Sequence, residues 1–94
     1  MAAKRLHMFV SGMVQGVYYR ANAQDKAMSL GLTGWVRNLL DGRVEILAEG
    51  DEKKLEELYE YCRNNPGMSK VDDVVASWEK PSGGFREFGI SYVD

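Results

Sequence analysis

Cysteine and histidine occur once each in these 94 residues, as Cys62 and His7. One cysteine excludes an internal disulfide framework, and with one of each neither a Cys–His catalytic pair nor a His-rich metal site is readily built. Ser11, Ser29, Ser69, Ser77, Ser82 and Ser91 have no evident general base in the sequence, so covalent catalysis has no support. No apolar run approaches the roughly 20 residues that span a bilayer. The opening Met-Ala-Ala-Lys-Arg is not followed by the apolar segment of a secretion signal. Neither sign of charge dominates: 12 Lys and Arg stand against 14 Asp and Glu, a formal net charge of −2 that argues against a broadly basic nucleic-acid binder. These absences predict a cytoplasmic protein with no metal site, no membrane anchor and no nucleic-acid partner, and a small domain of this pattern is expected to be a monomer.

What is present is an ordinary globular composition, 45% apolar and 28% charged, in a length that predicts one domain over residues 1–94. Leu6, Met8 and Val10 alternate with His7, Phe9 and Ser11, which predicts a first strand over residues 6–12. Tyr19, Ala23, Ala27 and Leu30 recur at helical spacing and Gly31 stops that helix. Residues 32–38 favour a strand, Asp41-Gly42 signals a hairpin, and residues 43–49 alternate with Val44, Ile46 and Ala48 on one side. Arg43, Glu45 and Glu49 fall on the other side, where Leu47 breaks the polar pattern. Asp51 caps a second helix with Leu55, Leu58, Tyr59 and Cys62 on one stripe, ended by Asn64-Asn65-Pro66-Gly67. A fourth strand over 71–79 and a short last strand carrying Phe88, Ile90 and Tyr92 follow.

This order predicts an α+β fold: a two-layer ferredoxin-like sandwich, βαββαβ plus a short terminal strand, with two helices on one face of an antiparallel sheet. The expected order of the first four strands is 4-1-3-2, with the fifth unplaced.

One stretch, Gly12-Met13-Val14-Gln15-Gly16-Val17-Tyr18-Tyr19-Arg20, sits between the first strand and the first helix. Its glycines permit conformations in which successive N–H groups share a concavity, the helix N-terminus adds a positive dipole end, and Arg20 supplies a fork of donors. Those parts suit a bound phosphate or carboxylate. The same parts also make a plain tight turn with a surface arginine. Asn38, at the end of the second strand, admits two readings as well: turn chemistry beside Asp41-Gly42, or an amide holding a water opposite a bound phosphate, because the first crossover makes strands one and two parallel. The carboxylates Asp51, Glu52, Glu56, Glu57 and Glu60 read as the solvated face of the second helix, with no two acids tied to a pocket by spacing.

The run Val10-Ser11-Gly12-Met13-Val14-Gln15-Gly16-Val17-Tyr18-Tyr19-Arg20 and the run Gly34-Trp35-Val36-Arg37-Asn38, followed by Gly42, Val44 and Gly50, resemble the two signatures of the acylphosphatase family, and the likeness in length and element order extends over nearly the whole chain. Tyr19 departs from the Phe or Met usual before the arginine, and its hydroxyl needs a partner. The resemblance implies hydrolysis of a carboxyl phosphate to carboxylate and orthophosphate without metal or cofactor. The backbone N–H groups of Gln15, Gly16, Val17, Tyr18, Tyr19 and Arg20 with the Arg20 guanidinium would bind the phosphoryl group. Asn38 would position the attacking water, and a phosphate oxygen of the small-molecule substrate would take its proton. The rival readings are a ferredoxin-like module that binds RNA on its sheet and a non-catalytic phosphate-binding domain. The strand Arg43-Val44-Glu45-Ile46-Leu47-Ala48-Glu49 lacks the aromatics an RNA reader would show there.

Overall fold

The computed structural model describes residues 3–92. Their order is β1 (Lys4–Met13), α1 (Tyr19–Ser29), β2 (Thr33–Asn38), β3 (Val44–Gly50), α2 (Glu52–Arg63), β4 (Lys70–Glu79) and β5 (Phe88–Ile90). The sheet order is β4-β1-β3-β2-β5. Within the first four strands every pair is antiparallel, in the expected 4-1-3-2 order. The fifth strand finds its place parallel to β2, so the sheet carries one parallel edge and is mixed.

The elements form for local reasons. Alternation in β1 sends Leu6, Met8 and Val10 into the core, where they meet Val36, Val44, Ile46 and Ala48 from the neighbouring strands. Both helices cover that face. α1 contributes Tyr19, Ala23 and Ala27, and the two alanines let its backbone lie close to β2 and β5. α2 contributes Leu55, Leu58 and Cys62; it starts on Asp51, whose carboxylate accepts from the Lys54 N–H at 3.4 Å.

Tyr19 explains its own departure from a plain apolar ring. It is only 1% exposed, and its hydroxyl donates to the Cys62 carbonyl at 2.8 Å. That carbonyl lies in the last turn of α2, where no helical N–H remains to satisfy it. The bond therefore ties the start of α1 to the end of α2. Burial raises the Tyr19 pKa, so the ring stays a neutral donor. Burial likewise pushes the Cys62 thiol up to about 12, against a smaller opposing effect of the Tyr19 contact, which leaves it unionised and inert.

The face away from the helices departs from a simple solvated surface. Glu45, Leu47 and Glu49 project there from the central strand β3, yet Glu45 is 6% and Glu49 4% exposed. Alternation correctly placed them opposite the core, but strands on both sides and long neighbouring side chains close over them. Arg37 Nε reaches Glu45 at 2.7 Å and Arg5 Nε reaches Glu49 at 2.8 Å. The connection from β4 to β5 crosses from one edge of the sheet to the other and is pinned in passing: the Ser82 and Gly83 N–H groups donate to Glu49 at 2.8 and 3.0 Å. Burial by itself would raise the Glu49 pKa, but those two amides and Arg5 outweigh it and hold the carboxyl below its ordinary value.

His7 lies in the same layer as more than an exposed strand residue. Nε2 stands 2.6 Å from Glu45 and Nδ1 2.7 Å from Glu79. Two carboxylates facing both ring nitrogens call for two N–H donors, which only the imidazolium has. Partial burial lowers the His7 pKa, but the hydrogen bonds and charges of Glu45 and Glu79 outweigh it and the net shift is upward.

Two measurements test this packing. The folded pKa of His7 lies above its ordinary 6.5, so its stabilisation is complete below that pH and fades as pH rises through the folded value. The urea midpoint of the parent chain should thus fall between pH 6 and pH 9 by more than that of His7→Gln; equal falls would show that the histidine bridge carries no stability. Tyr19→Phe strands the Cys62 carbonyl and should cost about 1–3 kcal/mol in urea unfolding; a neutral result would mean that water replaces the hydroxyl.

Candidate active site

β1, β2 and β5 all run in one direction, since β1 and β2 are both antiparallel to β3 and β5 is parallel to β2. Their C-terminal ends meet at one end of the sheet, and the loop after β1 lies there.

That loop is shaped before it is occupied. β1 bulges between Ser11 and Gly12. Gly12 has φ +123°, and a Cβ on it would lie 2.2 Å from the Lys70 carbonyl oxygen, so only glycine lets β1 pass β4 and turn. The chain then reverses through Gly16 at φ +77° and Tyr18 at φ +62°. Val14 is buried and Val17 packs against the core, which anchors the loop from beneath. Tyr18 stands at the N-cap of α1 with no side-chain cap, and the first turn carries no acid. Among the described residues, none of the backbone N–H groups from Gln15 to Arg20 donates to a backbone acceptor outside regular helix and strand bonding. They constitute uncommitted donors at the positive end of a helix.

Gln15 holds the loop against the β2–β3 turn. Its side-chain amide donates to the Leu39 carbonyl at 2.8 Å and to the Arg43 carbonyl at 2.9 Å. Both side-chain N–H groups are committed to that clamp, so the donor Gln15 has left for a ligand is its backbone N–H. The turn itself closes with Leu39 and Arg43 paired through a 2.8 Å backbone bond. Asn38 immediately precedes it, and its Oδ1 is buried with no hydrogen-bond partner among the described residues. A turn-forming asparagine would spend that oxygen on a nearby N–H. This one is aimed elsewhere, and an unpaired buried acceptor costs about 1–3 kcal/mol unless an outside donor meets it.

Arg20, one residue into α1, makes no ion pair among the described residues. Its guanidinium carbon sits 5.4 Å from the centre of the Tyr92 ring. Arg20, Asn38 and Tyr92 line two adjoining cavities. One, of about 290 Å³, is completed by Gln15, Leu39 and Leu40. The other, of about 300 Å³, is completed chiefly by Val14, Gly16, Tyr18 and Ile90. A larger surface concavity of about 810 Å³ lies against α2 among Lys54, Glu57, Glu60 and Tyr61 and contains neither motif. Among the described residues no three of His, Cys, Asp and Glu are grouped so as to hold a metal ion, and no helix is long and apolar enough to cross a membrane.

Gly16, Tyr18, Tyr19, Arg20 and Asn38 thus share one cavity, with Gln15 and Val17 bracing it. The Tyr19 ring faces the core and only its backbone is available to a ligand. Tyr18 is the reverse, 82% exposed. Sequence reasoning missed Tyr92, Leu39, Leu40 and Ile90. Tyr92 and Ile90 carried only a strand alternation, and no local signal says which edge of the sheet the last strand joins. Leu39 and Leu40, two apolar residues in a turn next to Asn38, were visible as an oddity in a segment that should be polar.

A donor-rich loop, an arginine without an ion pair among the described residues and a buried amide oxygen are groups that could hold an anion and a water. Comparisons with known proteins identify the family. The acylphosphatase family model matches residues 6–90. The chain is 52% identical over 92 residues to the acylphosphatase of Marinobacter nauticus, covering 98% of this chain and 100% of that protein. It is 49% identical over 87 residues to that of Methylococcus capsulatus, covering 93% and 95%. The crystal structure of acylphosphatase from Bacillus subtilis superposes with a TM-score of 0.90 at 40% identity, over 95% of this chain and 99% of that one. With 85 residues matched by one model and near full-length relatives, this chain belongs to the acylphosphatase family.

Proposed function

We propose that this chain carries out the acyl phosphate hydrolysis of its family with two groups in separate roles, Arg20 with the Gln15–Arg20 amides binding the phosphoryl group and Asn38 holding the attacking water. The observation that carries this is the buried, unpartnered Asn38 Oδ1 in a cavity shared with Arg20. A water there donates one hydrogen bond to Oδ1 and keeps a lone pair directed at phosphorus. Its oxygen attacks as the bond from phosphorus to the acyl oxygen breaks; the carboxylate leaves with the bonding pair, and the water proton passes to a phosphoryl oxygen of the substrate.

The charge balance favours this division of labour. Phosphoryl transfer asks the protein mainly for position and for stabilisation of charge on the equatorial oxygens. A carboxylate is already a good leaving group, so no protein acid is needed on it. Preorganised N–H donors and one full positive charge meet the rest. Arg20 and Asn38 come from the same chain, which supports a monomeric enzyme acting on a small molecule. The near-balanced charge of the chain, −2 overall, supports one that does not bind nucleic acid.

Arg20→Gln should lose both phosphate affinity and turnover, with kcat/KM for acetyl phosphate down at least 10²–10³-fold, about the effect of deleting one oxyanion donor. Asn38→Ala should lose turnover to a similar degree while inorganic phosphate still inhibits or binds at close to parental concentrations. Near-parental hydrolysis by either variant would refute the assignment. His7 bridges Glu45 and Glu79 and lines neither cavity. His7→Ala should therefore keep kcat/KM within a fewfold, and a thousandfold loss would identify histidine as the base.

A further inference from the structure

Three of the large apolar side chains left exposed on this molecule surround the mouth of the active site. Tyr18 is 82%, Leu40 89% and Tyr92 73% exposed. They come from unrelated places: the N-cap of α1, the β2–β3 turn and the segment after β5. Each lines one or both of the cavities that meet at Arg20 and Asn38. Nothing in the fold requires them there, since a solvent-exposed turn and cap favour polar residues.

Charge at the mouth is equally selective. Among the described residues, Arg20 is the one cationic residue lining the two cavities. The further cations nearest to these residues along the chain are engaged elsewhere: Arg37 pairs with Glu45 at 2.7 Å, Arg43 pairs with Asp41 at 2.8 Å, and Lys26 lines the concavity against α2. With Arg20 and the loop amides engaged by one phosphoryl group, no positive charge is left for a second anionic group on the substrate.

The direction of attack joins these observations. Asn38 Oδ1 is buried, so the water it holds is at the inner side of the phosphoryl group. Displacement in line then sends the leaving acyl oxygen outward, towards the mouth. We propose that Tyr18, Leu40 and Tyr92 form an acyl-binding rim, and that the enzyme's substrates are acyl phosphates with an uncharged, apolar acyl group rather than ones carrying a second carboxylate or phosphate. This rests on the roles given above to Arg20 and Asn38. Apolar carbons laid on the rim leave water, whereas an added anion there loses hydration without gaining a partner.

Three synthetic substrates with one reacting group test it: acetyl phosphate, hexanoyl phosphate, and adipoyl monophosphate, which matches hexanoyl in length and adds a terminal carboxylate. Hexanoyl phosphate should exceed each of the others in kcat/KM by about tenfold, the effect of roughly two buried methylenes. Leu40→Ser should reduce the hexanoyl-to-acetyl ratio about threefold or more, less than one full leucine burial would give. Leu40→Lys should narrow the hexanoyl-to-adipoyl gap. Ratios taken within one preparation are insensitive to its folded fraction. Equal kcat/KM for all three substrates, a preference for adipoyl monophosphate, or ratios unmoved in both Leu40 variants would overturn the rim while leaving the hydrolase reading intact. No turnover of any of the three would overturn the hydrolase reading itself and the rim with it.

Discussion

β3 is the strand on which the rest of the molecule depends. It is paired on both sides and covered on both faces, and the two strands beside it run antiparallel to it. That single constraint makes β1 and β2 parallel to each other, so the loop after one and the residue ending the other arrive at the same end of the sheet. β5 repeats the geometry at the far edge of β2. The candidate site exists because three strands of common direction, far apart in the chain, finish together at one end of the sheet.

The molecule treats its charges in two ways, and the difference is functional. On the face away from the helices, Arg5, Arg37 and His7 neutralise Glu45, Glu49 and Glu79, a layer in which all three carboxylates are paired and Glu45 and Glu49 are buried. At the end of the sheet, Arg20 has an aromatic ring beside it and no ion pair among the described residues. An arginine already held by a carboxylate would have to exchange it for phosphate, and much of the binding energy would be lost in the exchange. With no acid in the first turn of α1, the cation and the helix amides are free to act together on the anion proposed above.

Much of this was legible beforehand because it is periodic or tightly local. Leu6, Met8 and Val10 and the stripe of Leu55, Leu58 and Cys62 are burial patterns at the spacing of a strand and a helix, and they packed as that spacing implies. Asp51 as a cap and Gly31 as a stop are choices a few residues decide. The paired signatures around Gly16 and Asn38 pointed to one chemistry because both were present at the right separation. Glu45 and Glu49 were legible in direction but not in burial, since what covers them is Arg5, Arg37 and the Ser82–Gly83 crossing, all contributed from elsewhere. Gln15 read as a ligand-loop residue, while its side chain proved to be the clamp that sets the loop against the neighbouring turn.

By itself the sequence determined the elements, their order, the family resemblance and the residue types at the site, since helix spacing, strand alternation and turn chemistry act over a few residues. Tertiary structure decided which uncommitted groups face one another. For Asn38 the sequence left turn chemistry and water holding side by side, and the buried, unpartnered Oδ1 in a cavity shared with Arg20 favours the second; Tyr92 joined the site only when β5 settled on the β2 edge. Those outcomes depend on contacts between residues distant in the chain, and no local pattern carries the energy of a contact whose partner has not yet arrived.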